Sequence, residues 1–321
     1  MNEIQDQKKY MEAEKKASDS VFAIQKSDMH AKPCPKKKDW FFLFSTVMLC
    51  VCLLGVAVSI YFLGKKIRAY MQSDDLYENI RDRFYTDENS EVSPMNRSDE
   101  HVYTVDILSA KNGSSDPNSP GLSSGEADQY ALLRSKLASL QAEFPEMVGW
   151  IKIDNTLIDY PVMQTNNNSF YINHGYDGKK LSAGAIFMDF RSSYTPDDNY
   201  NTVIYGHNLG NGTMFRTLQY FNTNESVFRD GKIILITADA VYIYEAFSVH
   251  QPLDTDDYTQ VHFYTEDQYE KWLKSIIDES VFKKDIAVTT GDTVLTLSTC
   301  TNLLYDEHRF AVHAVLVQII K

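Results

Sequence analysis

The chain opens on a polar stretch and then runs 24 residues, 40–63, without a charged side chain. At about 1.5 Å per residue, a helix of that length spans roughly 36 Å, enough to cross a ~30 Å hydrocarbon core with some tilt. Trp40 and Tyr61 sit near its two ends, where amphipathic rings favour the membrane interface. A cleaved signal peptide has a shorter apolar core and does not normally follow a 39-residue polar tail, so the pattern predicts one retained transmembrane anchor. Beyond it, Ile67, Tyr70, Met71, Leu76, Tyr77, Ile80 and Phe84 recur at near-helical spacing, as in a juxtamembrane helix or stalk. Residues 111–125 are dominated by Gly, Ser, Pro and Asn, the composition of a flexible linker. The short apolar run 102–108 is assigned no fold.

The folded domain is expected over 127–321. Tyr130, Leu133, Leu137 and Leu140 mark one face of a helix that stops before Pro145. The period then changes to short β-type runs at 149–153, 157–163, 185–189, 202–205, 232–237, 241–249, 286–288, 293–298 and 309–319. Turn formers such as Asp154-Asn155, Asp177-Gly178, Asp230-Gly231 and Gly291-Asp292 separate several of them. One helix interrupts the series over 266–279, with Tyr269, Trp272, Leu273, Ile276 and Ile277 as its apolar stripe. A mainly β domain of this size is large enough to close, or nearly close, one barrel over a sizeable core. The division along the chain is therefore a tail, 1–39; an anchor, 40–63; a juxtamembrane stalk and linker, 64–126; and the domain, 127–321.

Charge sets the orientation. The tail holds nine lysines and no arginine, whereas the region after the anchor holds 22 basic and 37 acidic residues, a net of −15. Counts close to the anchor are tied at five basic groups on each side, so the whole-region bias decides: tail cytoplasmic, acidic domain outside. That acidity argues against a nucleic-acid partner, which needs a basic footprint. There is no Gly-rich phosphate loop and no Cys/His set with zinc spacing, so no cofactor and no metal are expected.

Of the four cysteines, Cys34, Cys50 and Cys52 lie in or beside the apolar segment. Cys300 stands alone in the long region after it, at the end of the β-type run 292–299. A solitary thiol in an exported domain is either an inert core residue or a nucleophile, and a nucleophile needs a lowered pKa or a nearby base. Eight histidines are available. His30 and His101 precede the domain. His174 and His308 fall in turns, and His250 and His262 are candidates too. His207 leaves a strand beside Gly206, where a ring can face a cleft. His313 shares a strand face with Arg309 and Ala311, so it could line a site too. Spacing alone does not choose among them. Arg309 follows Cys300 by nine residues, and a strand, loop and returning strand would set the two side by side. Its guanidinium could steady a thiolate or an oxyanion, or simply pair with Asp306 or Glu307 on the surface.

Taken together, Thr296-Leu297-Ser298-Thr299-Cys300, Arg309 and Tyr205-Gly206-His207 resemble the sortases, membrane-anchored cysteine transpeptidases of Gram-positive bacteria. The likeness covers roughly residues 129–318. Ser298 within the motif, the early helix before 148–153, the inserted helix and the run 184–191 resemble class B. The stretch 65–125 is longer than a simple class B stalk. The resemblance implies a closed barrel of about eight strands with an N-terminal helix and one inserted helix. It implies Cys300 as nucleophile, His207 as general acid/base and Arg309 at the oxyanion. It implies the backbone N–H of Thr301 as a second donor, and Ser298, Thr299 and Asn173 as substrate contacts. Specificity is expected to depend on loops such as 258–264. The implied substrates are secreted proteins bearing a C-terminal sorting signal, and the acceptor is an amine of a peptidoglycan precursor. An exported cysteine peptidase, or a type II membrane protein that binds without catalysis, would share parts of this pattern.

Overall fold

Short alternating runs become eight strands because each can turn one face to a common interior. The computed structural model describes residues 3–27, 38–86, 124–300 and 307–321. The strands are β1 (Met147–Ile153), β2 (Asp159–Met163), β3 (Ile186–Met188), β4 (Asn201–Tyr205), β5 (Lys232–Ile236), β6 (Val241–His250), β7 (Val294–Cys300) and β8 (Arg309–Ile320). They close a barrel in the order β1-β2-β3-β4-β7-β8-β6-β5, with β1 paired to β5. The β2–β3 and β4–β7 pairs are parallel; the other pairs are antiparallel. Leu295, Leu297, Val312 and Ala314 face the interior with Ile151, Val162 and Ile204. Closure leaves no bare edge to recruit another chain.

The ninth expected run, 286–288, is not a strand. Its neighbours explain why: β7 already pairs with β4 on one side and β8 on the other. Ile286 and Val288 instead pack, half-buried, on a satellite cluster around Phe247, Trp272 and Val294. That cluster is held by the inserted helix, 266–278. Three helices come earlier: α1 (Glu3–Ser27), α2 (Lys38–Tyr85) and α3 (Ser124–Glu143). Two short ones, α4 (Tyr220–Thr223) and α5 (Glu225–Asp230), precede β5. The inserted helix α6 spans Glu266–Asp278, with the Thr265 side chain accepting from the Gln268 N–H as its cap.

Two compact units are distinguished, Met1–Lys65 and Lys66–Lys321. The first includes the apolar part of α2, the helix among the described residues that is long and apolar enough to cross a membrane. The second takes in the last turns of α2. Tyr77, Ile80 and Phe84 are buried in the hydrophobic core of this unit, packed on the outer face of the barrel, so the segment expected as stalk enters the packed unit there. Phe84 stacks on Trp150 with ring centroids 4.1 Å apart. Asp159 accepts from Trp150 Nε1 at 2.6 Å and from Tyr85 OH at 2.9 Å, and Arg81 lies 3.8 Å from its carboxylate. The later part of that near-helical stripe, 77–84, is therefore a core face, while Ile67 and Met71 are exposed. Phe84→Ala is expected to cost about 3–5 kcal/mol, as for other fully buried aromatics. Chemical denaturation of the detergent-solubilised chain checks this; a free stalk would lose almost nothing. The run 102–108 and the linker 111–125 lie outside the described residues.

Candidate active site

The parallel β4–β7 pair brings distant parts of the chain to one barrel rim. Tyr205 lies opposite Ser298 in that pair, and the Gly206 N–H carries the ladder one step further by donating to the Ser298 carbonyl at 3.2 Å. His207 follows at once on the β4 side, and Cys300 ends β7 two residues beyond Ser298. On β7's other side, β8 sets Arg309 opposite Cys300. Neighbouring strands are about 4.8 Å apart. Positions 207, 300 and 309 thus sit on three adjacent strand ends, with Cys300 in the middle. Gly206 is required by space, since a Cβ there would run into Ile186 Cδ1 and stand 2.8 Å from Phe215 Cγ.

A groove of about 250 Å³ opens at this rim. His207, Ser298, Thr299 and Arg309 supply its polar lining; Ile172, Phe187, Tyr205 and Tyr258 form its walls. A larger cleft of about 680 Å³ lies between the end of α2 and α3, but its lining has no histidine or cysteine among the described residues. The smaller groove is the one with a histidine and an arginine in its lining.

Each side chain is held. The Nε2–H of His207 donates to the Ile172 carbonyl at 2.7 Å. A carbonyl only accepts, so in the neutral ring Nδ1 is the nitrogen left to take a proton. Arg309 is partly buried and pairs with Asp254 at 3.4 Å. Ser298 is buried, with its hydroxyl 2.9 Å from that of Tyr258. Thr299 is buried too, with its hydroxyl unpartnered among the described residues. Asn173 is exposed and lies outside the groove lining, which its neighbour Ile172 joins instead. Thr301 lies outside the described residues.

The structure also separates the histidines. His174 stacks on Phe170 with centroids 4.1 Å apart, and its Nδ1 meets the Phe170 carbonyl at 2.8 Å. His262 is exposed. His313 does share a face with Arg309, but α6 covers that end of the sheet: the Trp272 ring meets His313 edge-on at 5.8 Å. His313 is fully buried, with Nδ1 2.9 Å from Thr296 Oγ1, whose hydroxyl donates to Asn201 at 2.8 Å. His250 stacks on it at 5.1 Å.

Burial holds His250 down to about 4, partly opposed by Asp256. Burial, reinforced by His250, also holds His313 well below the usual range. The unfolded chain, with histidines near 6.5, therefore binds more protons than the native one between about pH 4 and 6.5. Stability is fully present above that window and is lost as pH falls through it. His250 alone accounts for about 2 kcal/mol between pH 7 and pH 5. Urea midpoints across this range should fall in the wild type and fall less steeply in His250→Gln.

A sortase domain model matches residues 151–317. The curated sortase B of Listeria monocytogenes is 32% identical over 186 residues, 58% of this chain and 75% of its own length. Among solved structures, sortase B of Clostridium perfringens is 34% identical with a TM-score of 0.53, covering 56% of this chain and 99% of that one. A Staphylococcus aureus sortase B–substrate complex is 28% identical with a TM-score of 0.52, covering 60% and 93%. With the family model spanning half the chain, the barrel closed and the rim residues assembled on β4, β7 and β8, the chain belongs to the sortase family.

Proposed function

We propose that the chain is a class B cysteine transpeptidase, anchored by the apolar part of α2 with its N-terminus cytoplasmic and its barrel outside the cell. The observation that carries the reading is the pairing of β7 with β4 on one side and β8 on the other, which gathers positions 207, 300 and 309 at one rim.

In this reading the Cys300 thiolate attacks a backbone carbonyl of a C-terminal sorting signal. The carbonyl oxygen becomes an oxyanion, and Arg309 and the N–H of Thr301 donate to it. His207 gives a proton to the departing amine as the C–N bond breaks, leaving a thioester. An amine of a cell-wall precursor then loses its proton to His207 and attacks the thioester. The C–S bond breaks and the thiolate returns. A thioester keeps the acyl group activated, so a new peptide bond forms without nucleotide. Ser298 and Thr299 are assigned to the peptide side of the groove. Asp254 restrains the Arg309 guanidinium beside the reacting centre.

The test supplies the detergent-solubilised chain with a quenched-fluorescent pool randomised at five consecutive positions, with and without hydroxylamine. A transpeptidase yields hydroxamate in preference to free acid from at least one pool member. Release of acid alone, unaffected by hydroxylamine, would identify a peptidase. No cleavage of any member would overturn both readings.

A further inference from the structure

A carboxylate with no part in the reaction above ties the groove's walls together. Asp189 follows β3 directly, and its side chain has no exposed surface. Oδ1 accepts from the Arg191 backbone N–H at 2.9 Å and from Arg191 Nε at 2.8 Å. Oδ2 accepts from Arg191 Nη2 at 2.7 Å, Asn168 Nδ2 at 2.9 Å and Tyr205 OH at 2.9 Å. These five hydrogen bonds more than occupy the roughly four lone-pair sites of one carboxylate, so it has no site left for water.

The side-chain donors come from different walls. Tyr205 lines the groove two residues before His207. Asn168 lies on the β2–β3 connection, four residues before Ile172, which both lines the groove and receives the His207 ring. Arg191 reaches onward to the Thr259 carbonyl at 3.3 Å. Thr259 adjoins Tyr258, whose hydroxyl meets Ser298 across the groove. One buried charge thus links the β4 exit, the β2–β3 connection and the β6–α6 loop. A buried ion pair adds little net stability over apolar packing, so stability alone is a weak reason for this arrangement.

We infer that Asp189, acting with Arg191, is a positioning residue that sets the spacing of the groove walls and thereby the fit of the extended peptide on either side of the scissile bond. The inference rests on the transpeptidase reading of the groove. The pairing of β4, β7 and β8 does not pass through Asp189, so its loss acts on peptide fit more than on the chemical step.

The experiment uses the best substrate from the randomised pool, with hydroxylamine as acceptor, and compares the wild type, Asp189→Asn, Arg191→Gln and Tyr205→Phe. Asp189→Asn and Arg191→Gln should raise the peptide KM about tenfold while kcat falls less than about threefold, and Tyr205→Phe should do so more weakly. The rate of Cys300 alkylation by iodoacetamide, which does not fill the groove, should stay within about twofold of wild type. Arg191 is partly exposed, so Arg191→Gln keeps the test in force where Asp189→Asn fails to fold. An unchanged KM in folded variants overturns the inference. So does a parallel fall in kcat, kcat/KM and alkylation, the mark of a merely structural role. A wild type that makes no hydroxamate would overturn the transpeptidase reading itself, a result visible before any variant is compared.

Discussion

Cys300→Ala removes hydroxamate formation, lowering it by at least ~10⁴-fold, the scale seen when a nucleophile is deleted from a cooperating catalytic set. The expectation follows from position. Cys300 ends the central strand of three, between the strand leading to His207 and the strand opening with Arg309. No other cysteine occurs after residue 52, so no second thiol can take over. Alanine also leaves the ladder hydrogen bonds of β7 untouched, because those are made by the backbone. The variant should therefore keep its melting behaviour and its peptide affinity while losing the covalent adduct. Intact-protein mass spectrometry after mixing with substrate checks this: the wild type gains one acyl mass and the variant gains none. An adduct on Cys300→Ala would move the nucleophile elsewhere.

His207→Gln is expected to lower kcat/KM by about 10³-fold, within the range for loss of a positioned acid–base group. Glutamine is the informative replacement. Its amide can still donate to the Ile172 carbonyl, which His207 Nε2 now meets at 2.7 Å, so the loop keeps that tether. What it cannot do is carry a proton. The leaving amine then departs unprotonated and the incoming amine attacks without a base. The histidine-dependent limb of the pH–rate profile should vanish with the rate. If His207→Gln retains that limb, another group is moving the proton, and His313 is excluded from the role by its full burial.

Much of this was legible in the chain. The alternation of β-type runs gave the strands because a closed barrel sorts residues into inside and outside with period two. Turn formers were equally direct: Asn155 takes the left-handed φ of 58° where a turn was expected. Three things were not legible, each for a physical reason. The run 286–288 has strand composition, but pairing is a property of available edges, and the closed barrel offers none there. The face shared by Arg309 and His313 was read correctly, but only α6 decides which part of it stays open, and helix docking is a long-range event. Phe84 sits on a helix whose upstream part reads as membrane, so its pairing with Trp150 carried no local signal.

The wall residues were harder still. Tyr205, Tyr258 and Ile172 meet only after folding, and Asp189 looks like an ordinary polar end to a short strand. A usable hint was its neighbour two positions on: Asp189 and Arg191 flank Phe190 directly after the apolar residues 185–188. A charged pair abutting a core strand is a candidate for a buried, structured ion pair rather than a solvated turn.

The parallel register of β4 and β7 also governs which length changes the chain can absorb. A single residue inserted within β7 would exchange Ser298 for Leu297 on the groove face, and one within β4 would exchange Tyr205 for Ile204, dismantling the rim at one stroke. The connections between strands obey no such parity. Insertions after Asp254 or in 208–213 would alter the peptide presented or the partner met, without moving the strand ends that carry the chemistry. Diversification by loop length is therefore the inexpensive route to new substrates in this barrel, and frameshifts of strand register are closed to it.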